Sequence, residues 1–119
     1  MNQPFCVYED VYQVGGDDIS HPADCPVYLI NCGDLVLIDT GAGPSFEQLV
    51  NNVKTLGFNP DKLTEVIATH RHIDHIGALW QFQKQFGAQI IAHQLNADGI
   101  EKGLNTAAEL YDIEYQPCS

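Results

Sequence analysis

Basic residues are scarce in this chain: five lysines and arginines stand against sixteen aspartates and glutamates, for a formal charge of -11. A field of that sign repels phosphate backbones and anionic headgroups, so neither nucleic acid nor a membrane surface is an expected partner. Long apolar runs are missing as well, and none approaches the length of a membrane span. The opening stretch MNQPFCVYED has neither a basic n-region nor an apolar h-region, which sets the expectation of a soluble, cytoplasmic protein. Cys6, Cys25, Cys32 and Cys118 form no C-x-x-C pair, so neither a zinc ribbon nor a dithiol redox motif is indicated, and free thiols are expected. Repeats and low-complexity tracts are absent too. What remains, 45% apolar and 18% charged over 119 residues, is the composition of one globular domain, residues 1–119.

Residues 7–14, VYEDVYQV, are rich in valine and tyrosine and end at Gly15-Gly16, which reads as a strand and a turn, with a loop following. VYLI (27–30) and LVLI (35–38) flank the turn-forming NCGD and predict a hairpin of interior strands, buried on both faces. Phe46, Leu49, Val50, Val53 and Leu56 recur at the helical period; Ser45 with Gln48 predicts a capping box, and Gly57 a stop. EVIAT (65–69) predicts a strand, Ile76, Leu79, Phe82 and Phe86 an amphipathic helix ended by Gly87, and AQIIA (88–92) a further strand. That order describes an α/β layered domain with parallel crossovers. From 94 to 111 the pattern weakens to helical scraps broken by Gly99 and Gly103, and 112–119 look like the approach to another strand.

ATHRHIDHIG (68–77) concentrates three of the five histidines. Histidine and aspartate at H-x-H-x-D-H are nitrogen and oxygen donors suited to zinc, and iron or manganese accept the same set. In an extended segment leaving a strand, His70 and His72 project to one side and can grip one ion. Asp74 and His75 fall where the chain turns into the next helix and can aim at a second. The alternatives are a solvated histidine-rich loop, or Asp74 as a helix N-cap. Arg71 and Ile73 are expected to point away from the ions. Asp39 ends LVLID at another strand's carboxyl end; it either orients a ligand histidine or caps its own turn. His21 and His93 have no such company and read as ordinary surface or core histidines.

LIDTG (37–41) followed by THRHIDHIG (69–77) resembles the metallo-β-lactamase fold hydrolases, whose hallmark is H-x-H-x-D-H after a strand. The resemblance implies the first half of an αββα sandwich, a mixed sheet flanked by helices. It makes His70 and His72 ligands of one metal, Asp74 and His75 ligands of another, and Asp39 the structural acid beneath them. It further implies two zinc ions and hydrolysis of a small-molecule ester, thioester, lactone, amide or phosphoester by metal-bound hydroxide, with Asp74 as the catalytic residue that orients the nucleophile. His72 separates the chain from the flavodiiron branch, which resembles H-x-E-x-D at this point. The family's remaining ligands lie in the second half of the sandwich, and no histidine follows His93. The expectation is therefore a truncated domain that forms a homo-oligomer or pairs with a complementary half, the alternative being a non-catalytic metal-binding half-domain or an inactive fragment.

Overall fold

The computed structural model describes residues 2–103, 106 and 115–118. Six strands form one sheet in chain order: β1 (Phe5–Tyr8), β2 (Val11–Gly15), β3 (Val27–Cys32), β4 (Asp34–Ile38), β5 (Leu63–Ala68) and β6 (Gln89–Ala92). The first four pair antiparallel, and β5 and β6 join parallel to β4, so the sheet is mixed as the resemblance implies. Four α-helices, α1 (Phe46–Thr55), α2 (Ile73–Ile76), α3 (Leu79–Phe86) and α4 (Gln94–Lys102), and one 3-10 turn, Pro60–Lys62, complete the described elements. Chain order equals spatial order because each parallel connection is a short helical crossover that returns beside the strand it left.

The helices cover one face of the sheet. Val27, Leu29, Leu35, Leu37 and Val66 alternate along β3, β4 and β5 and pack with Leu49 and Val53 of α1 and Phe82 of α3 in one cluster. Each such side chain taken from water contributes roughly 1.5–3 kcal/mol. Phe46 meets Phe82 edge to face, centroids 4.8 Å apart, which joins α1 to α3 beneath the sheet.

Val11, Tyr28, Ile30, Val36, Ile38 and Ile67 share the opposite face, by the registers that place Val11 beside Ile30, Tyr28 beside Ile38 and Ile38 beside Ile67. They are only half-buried. The expectation of strands buried on both faces is corrected on that point: among the described residues, no helix covers the second face.

Local differences have local causes. The strand expected over 7–14 is a hairpin, because the chain reverses at Glu9-Asp10, where Glu9 adopts φ 47°. The helix expected from Ile76 breaks at Ala78, leaving the four-residue α2 ahead of α3. Ser45 sits at the N-cap of α1 without capping it, since its hydroxyl donates to Asp24 and Gln48 turns to Asn52; no capping box forms. Gly99 does not interrupt α4 but lies buried within it, and Gly103, at φ 71°, ends it. Residues 115–118 are not a strand, and the expectations over 104–105, 107–114 and 119 lie outside the described residues.

Candidate metal centre

Strands β4 and β5 are parallel, so their carboxyl ends open on one edge of the sheet, the usual place for a site in such folds. Asp39 follows β4 there with φ 63°, a left-handed conformation that a short polar side chain tolerates better than most. The turn aims its carboxylate across the edge rather than back at its own loop. Thr69 N donates to Oδ1 at 2.8 Å and Thr69 Oγ1 to Oδ2 at 2.5 Å. His75 Nδ1 stands 2.9 Å from the same Oδ2. Of the two sequence alternatives for Asp39, the geometry is that of an acid facing a histidine.

This contact decides which nitrogen of His75 is available. A carboxylate holds the proton on Nδ1, and the Nε2 lone pair is then turned outward, 3.6 Å from Asp74 Oδ2. The hydrogen bond to Asp39 raises the His75 pKa above its ordinary value, against the opposing pull of burial. His70 and His72 emerge from the end of β5 with ring centroids 4.0 Å apart, and His70 lies 5.5 Å from His75. His72 N donates to His70 Nδ1 at 3.1 Å, which leaves the other ring nitrogen of His70 uncommitted. His70 is pushed below its usual pKa by lost hydration and by His72, His75 and Arg71 beside it. The four residues singled out in the sequence thus stand together, His70 beside His72 and Asp74 beside His75, over Asp39.

Arg71 and Ile73 take other partners. Arg71 donates through Nη1 to Asn96 of α4, and Ile73 is fully buried. His21 and His93 each accept a hydrogen bond at Nδ1 from a backbone N–H two residues on, from Ala23 and Leu95; His93 caps α4 in this way.

The backbone of α2 is gripped from outside its own helix. Cys25 N donates to the Asp74 carbonyl at 3.2 Å, and Thr40 donates to the His75 carbonyl through N at 2.7 Å and Oγ1 at 3.0 Å. Gly77 N reaches the Gly41 carbonyl at 2.9 Å. Cys25, Thr40 and Thr69 are contributors that sequence reasoning missed. Thr69 and Thr40 adjoin the two motifs, so their positions offered a signal; Cys25 has none in its spacing.

Cys25, Asp39 and His75 also offer a sulfur, an oxygen and a nitrogen within 4.8 Å of one another. That trio is the floor of the centre rather than a separate cage. Both Asp39 oxygens are already engaged, and burial, then Asp39, drives the Cys25 pKa far upward and keeps the thiol protonated. Among the described residues, no helix is long and apolar enough to cross a membrane.

A metallo-beta-lactamase fold-containing protein of Sulfurisphaera tokodaii is 29% identical to the chain over 113 residues, 88% of this chain and 40% of the relative. The structure of a subclass B3 metallo-beta-lactamase of Bradyrhizobium japonicum superposes with a TM-score of 0.85 at 27% identity, covering 99% of this chain and 43% of that one. A class B3 di-zinc metallo-beta-lactamase from an Alaskan soil metagenome superposes with a TM-score of 0.77 at 29% identity, covering 86% and 37%. The chain therefore spans well under half the length of these relatives. Since the family model of the metallo-beta-lactamase superfamily matches residues 22–109, the greater part of the sequence, the chain belongs to that superfamily.

Proposed function

We propose that this chain carries the metal-motif half of a metal-dependent hydrolase acting on a small-molecule ester, thioester, lactone, amide or phosphoester. The observation that carries this reading is the Asp39–His75 contact, which turns Nε2 outward beside Asp74 while the rings of His70 and His72 stand adjacent. Three imidazoles and a carboxylate are the donors zinc prefers; iron and manganese accept them too. The di-zinc neighbour supports two zinc ions.

His70 and His72 would hold one ion, and Asp74 and His75 the other. Bound there, the metals supply polarisation of the substrate's carbonyl or phosphoryl oxygen and a water acidified toward neutral pH. Asp39 keeps the His75 proton on Nδ1 and so keeps Nε2 a donor of electrons. Asp74 contributes its carboxylate at the site and can take and pass on a proton at the oxygen not engaged with metal. The acidic surface favours an uncharged or weakly charged small substrate over a polyanion. The free thiols of Cys6 and Cys32, both exposed, support the cytoplasm as its location.

The half-buried face of Tyr28, Ile30, Val36, Ile38 and Ile67 supports a partner, either a complementary half or a second copy. The same face favours a second reading, an assembly half-domain that binds metal without turnover. Metal analysis of protein purified without chelator, beside His72→Ala and with a panel of generic esters and lactones, separates the two. One or more ions per chain, lost in the variant and accompanied by hydrolysis, supports the enzyme. Metal without hydrolysis supports the half-domain, and no metal at the correct mass overturns both.

A further inference from the structure

Two separate segments hold α2. The residue after Asp24 donates its N–H to the Asp74 carbonyl, and the 39–43 loop binds the His75 carbonyl and Gly77 N through Thr40 and Gly41. Whatever fixes these segments to each other fixes the spacing of Asp74 and His75. The tie is the Asp24 side chain. Its Oδ1 accepts from Ala42 N at 2.8 Å, and its Oδ2 accepts from the hydroxyls of Ser20 and Ser45, each at 2.5 Å.

A carboxylate that is 6% exposed and has no cationic partner among these contacts is an expensive thing to bury, and only well-aimed donors make it tolerable. An apolar side chain could fill the space but could not pin Ala42. The fit is close on the loop side as well: a Cβ at Gly41 would stand 2.5 Å from Asp24 Oδ1, so the loop lies flush on the carboxylate only because that residue is glycine, at φ 73°. Gly77 continues the stack, since a Cβ there would fall 1.9 Å from the Ala42 carbonyl oxygen. Asp24, the Gly41-Ala42 backbone and Gly77 thus form one column, without slack, that ends in the turn bearing Asp74 and His75.

We infer that Asp24 is a positioning residue for the centre: its carboxylate locks the 39–43 loop to the Cys25 segment and so sets Asp74 and His75 relative to Asp39. It touches none of the candidate ligands and acts only through backbone. The inference rests on the proposed metal centre for its consequence, but its structural content can be read without metal.

The test uses the full chain with Asp24→Ala, Asp24→Asn, which keeps an acceptor for Ala42 N, and Ser45→Ala, which removes one donor. Asn52→Ala is the control: Asn52 is also buried, and it binds the Val14 carbonyl at 2.7 Å and the Ile19 carbonyl at 3.3 Å without a hydrogen bond to Asp24 or to the 39–43 loop. The first readout is the His75 tautomer, from long-range nitrogen–proton correlation spectra of metal-free protein. The second is titration with cobalt(II) alone, followed by its visible spectrum. In Asp24→Ala the His75 ring loses its single Nδ1–H tautomer and the weaker cobalt event weakens about tenfold or more, with partial recovery in Asp24→Asn. Asn52→Ala lowers the melting temperature yet leaves both readouts unchanged.

A wild-type tautomer and cobalt titration in Asp24→Ala, despite a drop in melting temperature matched to Asn52→Ala, overturns the inference. If Asp24→Ala does not fold, the same criteria apply to Asp24→Asn and Ser45→Ala. A wild type that binds no cobalt counts against the metal centre instead, and the tautomer then decides the role of Asp24.

Discussion

Asp39 and His75 lie 36 positions apart in the chain, yet Asp39 Oδ2 and His75 Nδ1 meet at 2.9 Å across the carboxyl edge of the sheet. The parallel pairing of β4 and β5 makes this possible, because it brings the residue after each strand to the same edge. Thr69 holds both oxygens of the carboxylate with two hydrogen bonds, which keeps the acid from swinging to another partner. One side chain thereby fixes a strand end, a histidine tautomer and the direction of a candidate ligand.

Replacing Asp39 should therefore separate two effects. Asp39→Ala puts an alanine at φ 63°, which costs about 1–3 kcal/mol of stability, and frees the His75 ring. Asp39→Asn tolerates the backbone and keeps one acceptor. Metal affinity should fall roughly 10–100-fold in the alanine variant and less in the asparagine variant. Isothermal titration with zinc, beside urea unfolding of the metal-free forms, checks both.

The Gly77 position makes a sharper structural prediction. Its missing side chain is filled by the Ala42 carbonyl, with the oxygen 1.9 Å from where a Cβ would be. A backbone atom cannot rotate away as a side chain can. Gly77→Ala should cost about 3 kcal/mol or leave the protein unfolded, whereas Gly57→Ala, with open space around it, should cost only the strain of its φ of 93°. Urea denaturation of the two variants distinguishes them.

Much of the site was legible because its signals are local. The H-x-H-x-D-H run follows a strand and runs into a helix, and α1 shows its apolar stripe residue by residue. What escaped depends on partners distant in sequence. Ser45 and Gln48 have the spacing of a capping box, but Asp24, 21 positions away, draws off the serine. Cys25 looks like a stray thiol until the fold sets Asp39 and His75 beside it. The runs VYLI and LVLI are equally apolar whether one face or both are covered, so sequence could not show that Ile30 and Ile38 remain half-buried. Gly99 reads as a breaker only if its burial against the core is unknown.

Alkaline pH should expose the cost of two buried thiols and one half-buried phenol. Burial raises the pKa of the Cys25 and Tyr115 side chains well above their ordinary values and that of Cys118 from 9.0 to about 11. A group that ionises later in the folded state stabilises the fold below its unfolded pKa and loses that contribution as pH rises through the folded one. Stability should thus hold up to about pH 9 and fall between pH 9 and 11, and Cys118→Ala should flatten part of that decline. Urea midpoints at pH 7, 9 and 10.5 provide the measurement. At pH 8 a thiol reagent should modify Cys6 and Cys32 and spare Cys25 and Cys118 until denaturant is added.

The uncovered sheet face predicts how the isolated chain behaves in solution. Ile38 and Ile67 are paired neighbours on adjoining strands, Tyr28 lies beside Ile38, and together they form an apolar strip that no helix among the described residues screens. Water against such a strip is unfavourable by roughly 25 cal/mol for each Å² that a partner could cover. The charge of -11 opposes crowding, so self-association should strengthen as salt screens it. Sedimentation should show a dimer or larger species at 0.3 M salt and less of it at 0.02 M. Ile67→Lys places a charge within the strip while leaving the buried face of β5 intact, and it should shift the protein to monomer without a comparable loss of melting temperature. A wild type that stays monomeric at both salt concentrations would mean that the strip is tolerated in water and that a second copy is not its partner.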